Sequence, residues 1–130
     1  MDFELNGMLT LGENIADNGG IKQSFRVNIL FVLNKAYRKY IKQIGEPDHS
    51  KFQLPEISNF TNDQIFFLSF AQTWCSHQTK KSQIKRILTS KHSPAKYRVN
   101  GVLSNLPEFS KAFDCPSGSL LNPQKRCSVW

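Results

Sequence analysis

The run Thr61-Asn62-Asp63-Gln64 followed by "IFFLSFAQTWC" constrains the fold more than any other stretch of this chain. A Thr at a helix start with Gln three residues on forms a capping box. The hydroxyl accepts from the Gln backbone N–H, and the Gln side chain accepts from the Thr backbone N–H. The residues that follow are apolar nearly all round, the pattern of a buried helix. Such a helix has to be covered by other elements, and the rest of the chain must supply them. Ten Phe and a hydrophobic share of 39% in 130 residues suffice for one packed core.

Those other elements also read as helical. One helix is expected to start near Leu11–Glu13, run through Gly19 and Gly20 towards Ile44, and end at Gly45, Glu46 and Pro47. His49 to Phe60 reads as a loop. Thr79 is placed to cap a short basic helix from about Lys80 to Leu88. The segment "TSKHSPAKYRVNGVLSN" reads as a loop, broken by Pro94 and Asn100-Gly101. Asn105 with Pro107 opens a last short helix through Phe113, and "DCPSGSLLNPQKRCSVW" after it is irregular. No strand alternation and no repeat appear, so the class is mainly α.

The net charge of +7 raises the question of an anionic partner. The cations fall into three groups: Lys35, Arg38, Lys39 and Lys42; Lys80, Lys81, Lys85 and Arg86; and Lys125 with Arg126. They read as solvated helix faces, with Tyr37, Tyr40, Ile41 and Ile44 opposite the first. No stacking-aromatic module accompanies them, so no nucleic-acid partner is expected. Asp2 and Glu4 stand where a secretory signal would be positive, and "ILFVL" is too short to span a bilayer.

Cys75, Cys115 and Cys127 are odd in number and form no C-x-x-C pair. Cys75, in the apolar helix, reads as a free core thiol. The other two lie in the Pro/Gly/Ser/Asn-rich tail, which reads as poorly able to hold itself without staples; they suggest an oxidising compartment and partners outside this chain. Asn59-Phe60-Thr61 is a glycosylation acceptor pattern consistent with that setting. His49, His77 and His92 have no histidine partner four residues away, and no H-E-x-x-H occurs, so these residues alone do not assemble a zinc site.

In "LGENIADNGG", Glu13 and Asp17 stand four residues apart and two glycines follow. On a helix the two carboxylates share a face and repel by roughly 0.2–0.5 kcal/mol. Each glycine costs about 1 kcal/mol relative to alanine in a helix interior. By itself the stretch reads as a solvated acidic turn with a glycine cap.

Read together, "GENIADNGG", "FFLSFAQTWCS", "HSPAKYRVNG" and the terminal "NPQKRCSVW" closely resemble the C-terminal segment of the neprilysin and endothelin-converting-enzyme family of zinc endopeptidases. The four occur in the family's order at similar spacing. The resemblance covers the chain except Arg26–Asn34, nine residues without a counterpart, which would bulge out or extend the fold. It implies the C-terminal helical part of a thermolysin-like (gluzincin) catalytic domain, here a single partial domain over residues 1–130. Glu13 matches the third ligand of one Zn²⁺ ion, whose two His ligands lie outside this chain. Asp17 matches the carboxylate that orients a zinc-bound histidine, and the glycines would let a neighbouring element approach. His92 matches the donor to the oxyanion of the tetrahedral intermediate. Arg98 matches the arginine that binds a carbonyl of the peptide substrate.

The resemblance also implies partners. These are a peptide substrate, the H-E-x-x-H-bearing part of the catalytic domain, and upstream cysteines bridged to Cys75, Cys115 and Cys127. It implies a place on the outer face of the plasma membrane or in the secreted space. The expected function is therefore that of the C-terminal portion of a zinc metalloendopeptidase, inactive alone. The alternatives are a non-catalytic binding or regulatory fragment of that family and, more distantly, a basic nucleic-acid-binding helical module.

Overall fold

The computed structural model describes residues 4–34 and 59–129, and side chains outside 27–34 within that set. Among the described residues five helices follow in order: α1 (Gly7–Asn34), α2 (Asn62–Thr73), α3 (Lys80–Thr89), α4 (Ala95–Ser104) and α5 (Pro107–Ala112). No strand occurs among the described residues. The expected mainly α class is what the structure shows.

Helix α1 starts earlier than expected. Asn6 accepts the Leu9 N–H through its side chain at 3.1 Å, the bond of an Asn cap to the third helical residue. Its buried positions then step along one face: Thr10 at 3% exposure, the half-buried Asn14 and Asn18, then Ile21 at 5% and Phe25 at 3%. The steps of four, four, three and four residues follow the helical period. The upper half of this face is polar and the lower half apolar. Tertiary contact on that face carries α1 through the glycine pair despite its propensity cost. Helix α1 also continues through Arg26–Asn34, so this segment extends the helix and does not bulge from it. The expected helix end at Ile44–Pro47, the loop from His49 and the cluster Lys35–Lys42 lie outside the described residues.

The capping box on α2 is present, with Gln64 N–H to Thr61 Oγ1 at 3.2 Å and Thr61 N–H to Gln64 Oε1 at 2.9 Å. The Gln64 amide also donates to the Ala112 carbonyl at 2.8 Å, tying the start of α2 to the end of α5. Burial of α2 is one-sided, unlike the expectation from its composition. Phe67 is 1% exposed whereas Leu68 is 44% exposed. The core gathers around Phe67. Phe25 stacks on it at 5.1 Å and Phe109 meets it edge-on at 5.3 Å. Val102, Leu103 and Leu106 close the cluster. Burying each such side chain contributes about 1.5–3 kcal/mol.

The segment read as a loop around Pro94 is instead α4. Pro94 precedes the first helical residue, where its missing N–H costs nothing, and Gly101 is exposed in the helix body. Val99, Val102 and Leu103 recur at helical spacing and face the core, and this packing outweighs the local breakers. Thr79 caps α3 as expected, accepting from Ser82 N–H at 3.3 Å. Pro107 begins α5, also as expected.

Polar side chains tie the tail together. The Asn122 amide donates to the Cys115 carbonyl at 2.7 Å, and Gly118 at φ 82° turns the chain so that its N–H meets the Asn122 carbonyl at 2.8 Å. Arg126 donates to Ser110 Oγ at 3.0 Å and to Asn122 Oδ1. All three cysteines are free, and Cys75 is exposed beyond the end of α2, not a core thiol. Non-reducing peptide mapping of the chain should therefore find no disulfide joining any two of them, with Cys75 and Cys127 alkylated fastest. A Cys115–Cys127 bridge would contradict both the structure and the expectation of partners elsewhere.

Candidate functional site

The upper half of α1 and the segment leading into α4 build one polar cluster. On α1, Glu13 and Asp17 are four residues apart, about 400° of rotation, so they point within roughly 40° of each other. Pro94 starts α4 and sets Arg98 one turn inside it, while His92 sits just before the helix. All four candidate residues meet here.

Arg98 is the centre of the cluster. Its Nε and Nη2 donate to Asp17 Oδ2 and Oδ1 at 2.5 and 2.6 Å, a two-pronged pair with side chains only 11% and 12% exposed. Its Nη2 also lies 3.6 Å from Glu13 Oε2. The guanidinium carbon sits 4.0 Å above the Trp74 ring, so the cation is stacked as well as paired. The hydrogen bond to Asp17 raises the Arg98 pKa further, against the opposing effect of burial, with the charges of Asp17 and Glu13 adding to the rise. The two carboxylates of α1 thus find their counter-charge within this chain.

His92 comes from the other side. Its Nε2 lies 3.3 Å from Glu13 Oε2, in a contact about half exposed on both partners, at 48% and 42%. Glu13 is therefore the open carboxylate of the pair and Asp17 the enclosed one. The chemistry of the donor set decides what it could hold. Among the described residues no three His, Cys, Asp or Glu side chains lie together as a metal site. Glu13 fits as one oxygen ligand, and a catalytic zinc site takes three protein ligands. Of such a set, this cluster offers one ligand.

Beside Asp17 an open groove of about 420 Å³ runs between α1 and α2, lined among others by Ala16, Gly20, Ile21, Phe66 and Phe70. The idea that both glycines admit a close neighbour is not met at Gly20. A Cβ added there would meet nothing within 4 Å.

Sequence reasoning missed the residues that hold the site together. Ser93, 2% exposed, donates from its Oγ to Asn14 Oδ1 at 2.9 Å. Asn105 donates to Asn18 Oδ1 at 2.9 Å and accepts the Cys127 N–H at 2.9 Å. The available signal was the spacing of Thr10, Asn14 and Asn18, polar residues one turn apart at positions a core-facing helix would fill with apolar ones. Trp74 was legible only as an apolar residue; its stacking on Arg98 needed the fold.

A family model described as peptidase family M13 matches residues 1–129. Neprilysin-1 of Caenorhabditis elegans is 48% identical over 129 residues, covering 99% of this chain and 16% of that protein. Human endothelin-converting enzyme 1 is 48% identical over 126 residues, covering 97% of this chain and 14% of that protein. Among solved structures, the Haemonchus galactose containing glycoprotein complex superposes with a TM-score of 0.75 at 41% identity, over 97% of this chain and 20% of that one. A zinc metalloprotease of Mycobacterium tuberculosis in its open state gives 0.71 at 31% identity, over 98% of this chain and 18% of that one. The chain spans about one sixth of the length of the curated relatives it matches.

Proposed function

The chain belongs to peptidase family M13, and on that premise we propose that it is the C-terminal, site-bearing portion of a zinc metalloendopeptidase that hydrolyses oligopeptides. The observation that carries the proposal is the convergence of Glu13, His92 and Arg98, with His92 Nε2 and Arg98 Nη2 at 3.3 and 3.6 Å from the same Glu13 oxygen. A carboxylate, an imidazole and a guanidinium facing one point form a half-site for acyl-transfer chemistry.

Each residue has a role in that reading. Glu13, partly exposed, is the carboxylate ligand, and two imidazoles supplied from outside this chain complete the set. Zinc, when bound, supplies a Lewis acid for the scissile carbonyl and lowers the pKa of a bound water. His92 donates an N–H to the oxygen on which negative charge develops. Such a donor, already in place before the reaction, accounts for about 10²–10³-fold in kcat. Arg98 has five N–H donors, of which Asp17 takes two, and those remaining bind a backbone carbonyl of the peptide. Asp17 fixes the plane of the guanidinium and, from its place on α1, orients a histidine ligand.

The exposed acceptor Asn59 and the exposed thiols Cys75 and Cys127 support a setting on the outer face of the cell, where glycans and disulfides form. No helix among the described residues is long and apolar enough to cross a membrane.

The test is complementation. Alone, the full chain should bind zinc weakly and cleave no peptide. Replacing the matching C-terminal segment of Neprilysin-1 with this chain should give a protein that holds one zinc per molecule and cleaves peptides until a chelator is added. A folded, zinc-loaded chimera without peptidase activity would favour the non-catalytic reading. Tight stoichiometric zinc in the isolated chain would overturn the partial-site reading.

A further inference from the structure

His92 lies outside any helix, yet it meets Glu13 across 79 residues of chain, so something has to aim it. Its own side-chain contact is half exposed and too weak to do so. The neighbouring residue is different. Ser93 is 2% exposed and its hydroxyl points into α1, where it donates to Asn14 Oδ1 at 2.9 Å. Asn14 directly follows Glu13. Its amide nitrogen donates in turn to Thr10 Oγ1 at 3.2 Å, and the Thr10 hydroxyl donates to the Asn6 carbonyl at 3.2 Å. Thr10 is 3% exposed.

The chain of donors has one sense and leaves no gap: Ser93 to Asn14, Asn14 to Thr10, Thr10 to the cap of α1. It joins the residue after His92 to the residue after Glu13 through the half-buried Asn14, with the buried Ser93 and Thr10 at its two ends, where a missing hydrogen-bond partner is costly. Pro94 follows at once and fixes the backbone entering α4. The His92 N–H is held as well, donating to Ser90 Oγ at 3.0 Å. The segment is therefore fastened on both sides of His92, and its long-range anchor is the Asn14–Ser93 bond.

We propose that Asn14 and Ser93, backed by Thr10, are positioning residues that set His92 against Glu13 and thereby place the oxyanion donor. The proposal rests on the reading of His92 given above and goes beyond it, because neither Asn14 nor Ser93 touches the reacting groups. The pairing constrains what each position accepts. Ser93→Thr keeps the hydroxyl, whereas Ser93→Ala removes it and orphans Asn14 Oδ1. Asn14→Leu removes both links at once.

Two measurements test it. In the metal-free full chain, amide relaxation and exchange by NMR should show residues 90–93 loosened by Ser93→Ala, with protection in α2 and α5 unchanged. Ser93→Thr should restore the parent behaviour. In the zinc-loaded chimera, Ser93→Ala should lower kcat by about 10–100-fold, the range found for groups that orient catalytic ligands, with KM within about twofold. In a His92→Ala background, Ser93→Ala should cost nothing further, because the group it positions is gone. If His92→Ala lowers kcat while Ser93→Ala leaves both kcat and the 90–93 amides unchanged, the positioning inference is wrong and the assignment of His92 stands. If His92→Ala is itself silent in an active chimera, the oxyanion assignment fails, and the NMR arm then decides only whether Ser93 orders the segment. Equal further loss from Ser93→Ala in both backgrounds would mark a general structural role and overturn the proposal.

Discussion

Replacing Asp17 with alanine is expected to destabilise the chain by about 3 kcal/mol, in urea unfolding monitored by circular dichroism. The side chain is 12% exposed and accepts both prongs of an Arg98 that is itself 11% exposed. Deletion leaves a guanidinium stacked on Trp74, largely shielded from water and without its main acceptor. Removing one partner of a buried pair typically costs about 3–5 kcal/mol. The lower end applies because Glu13 remains 3.6 Å from Nη2 and takes up part of the charge. Arg98→Ala should cost a similar amount, since two carboxylates one turn apart then face each other without a cation. The double variant should be clearly more stable than the sum of the two singles predicts, the signature of a direct pair. On the arginine side the contribution should not vary with pH. A cation whose folded pKa is raised keeps its stabilisation in full below the unfolded value, and for Arg98 both values lie far above any pH at which a protein is handled. An Asp17→Ala variant within about 1 kcal/mol of the parent would show that the pair does not hold α4 to α1.

That pair also shows where sequence reasoning reaches and where it stops. The spacing of Glu13 and Asp17 is legible because a helix converts four residues into one face. The caps at Thr61 and Thr79 and the Pro at the start of α5 are legible for a similar reason, since each is decided within one turn. Helix α4 is not. Pro94 and Asn100-Gly101 argue locally for a loop, and only the burial of Val102 and Leu103 against other helices overrides that local preference. The counter-charge for the carboxylates escapes for the same reason. The family resemblance implies zinc and an imidazole as their neighbours. The structure adds Arg98 beside both carboxylates, 81 residues beyond Asp17. Asn14 and Ser93 give no warning, because a single Asn or Ser carries no periodic signal and their meaning lies in the contact across the fold.

Glu13→Ala should have the opposite profile from Asp17→Ala. In the chimera it should weaken zinc binding by more than about 100-fold, since loss of even a group outside the coordination sphere costs about 10–100-fold. Peptide hydrolysis should disappear with the metal. The fold should be almost untouched. Glu13 is 42% exposed, its contact to His92 at 3.3 Å is open to water on both sides, and Arg98, 3.6 Å away, keeps Asp17 as its main acceptor. Exposed ion pairs of this kind contribute only about 0–1 kcal/mol. Glu13→Gln keeps the shape and one acceptor oxygen but not the charge, and should lose most of the metal as well, because a carboxylate ligand has to be ionised. Metal analysis after dialysis against graded chelator, chelator-sensitive peptidase activity and urea unfolding on one preparation separate the two carboxylates. Loss of zinc without loss of stability at Glu13, and loss of stability at Asp17, would mean that one carboxylate is turned outward for a ligand and the other inward for the fold. Retention of full zinc affinity by Glu13→Ala would remove Glu13 from the metal site. A destabilisation at Glu13 as large as at Asp17 would make the whole cluster a structural salt-bridge network.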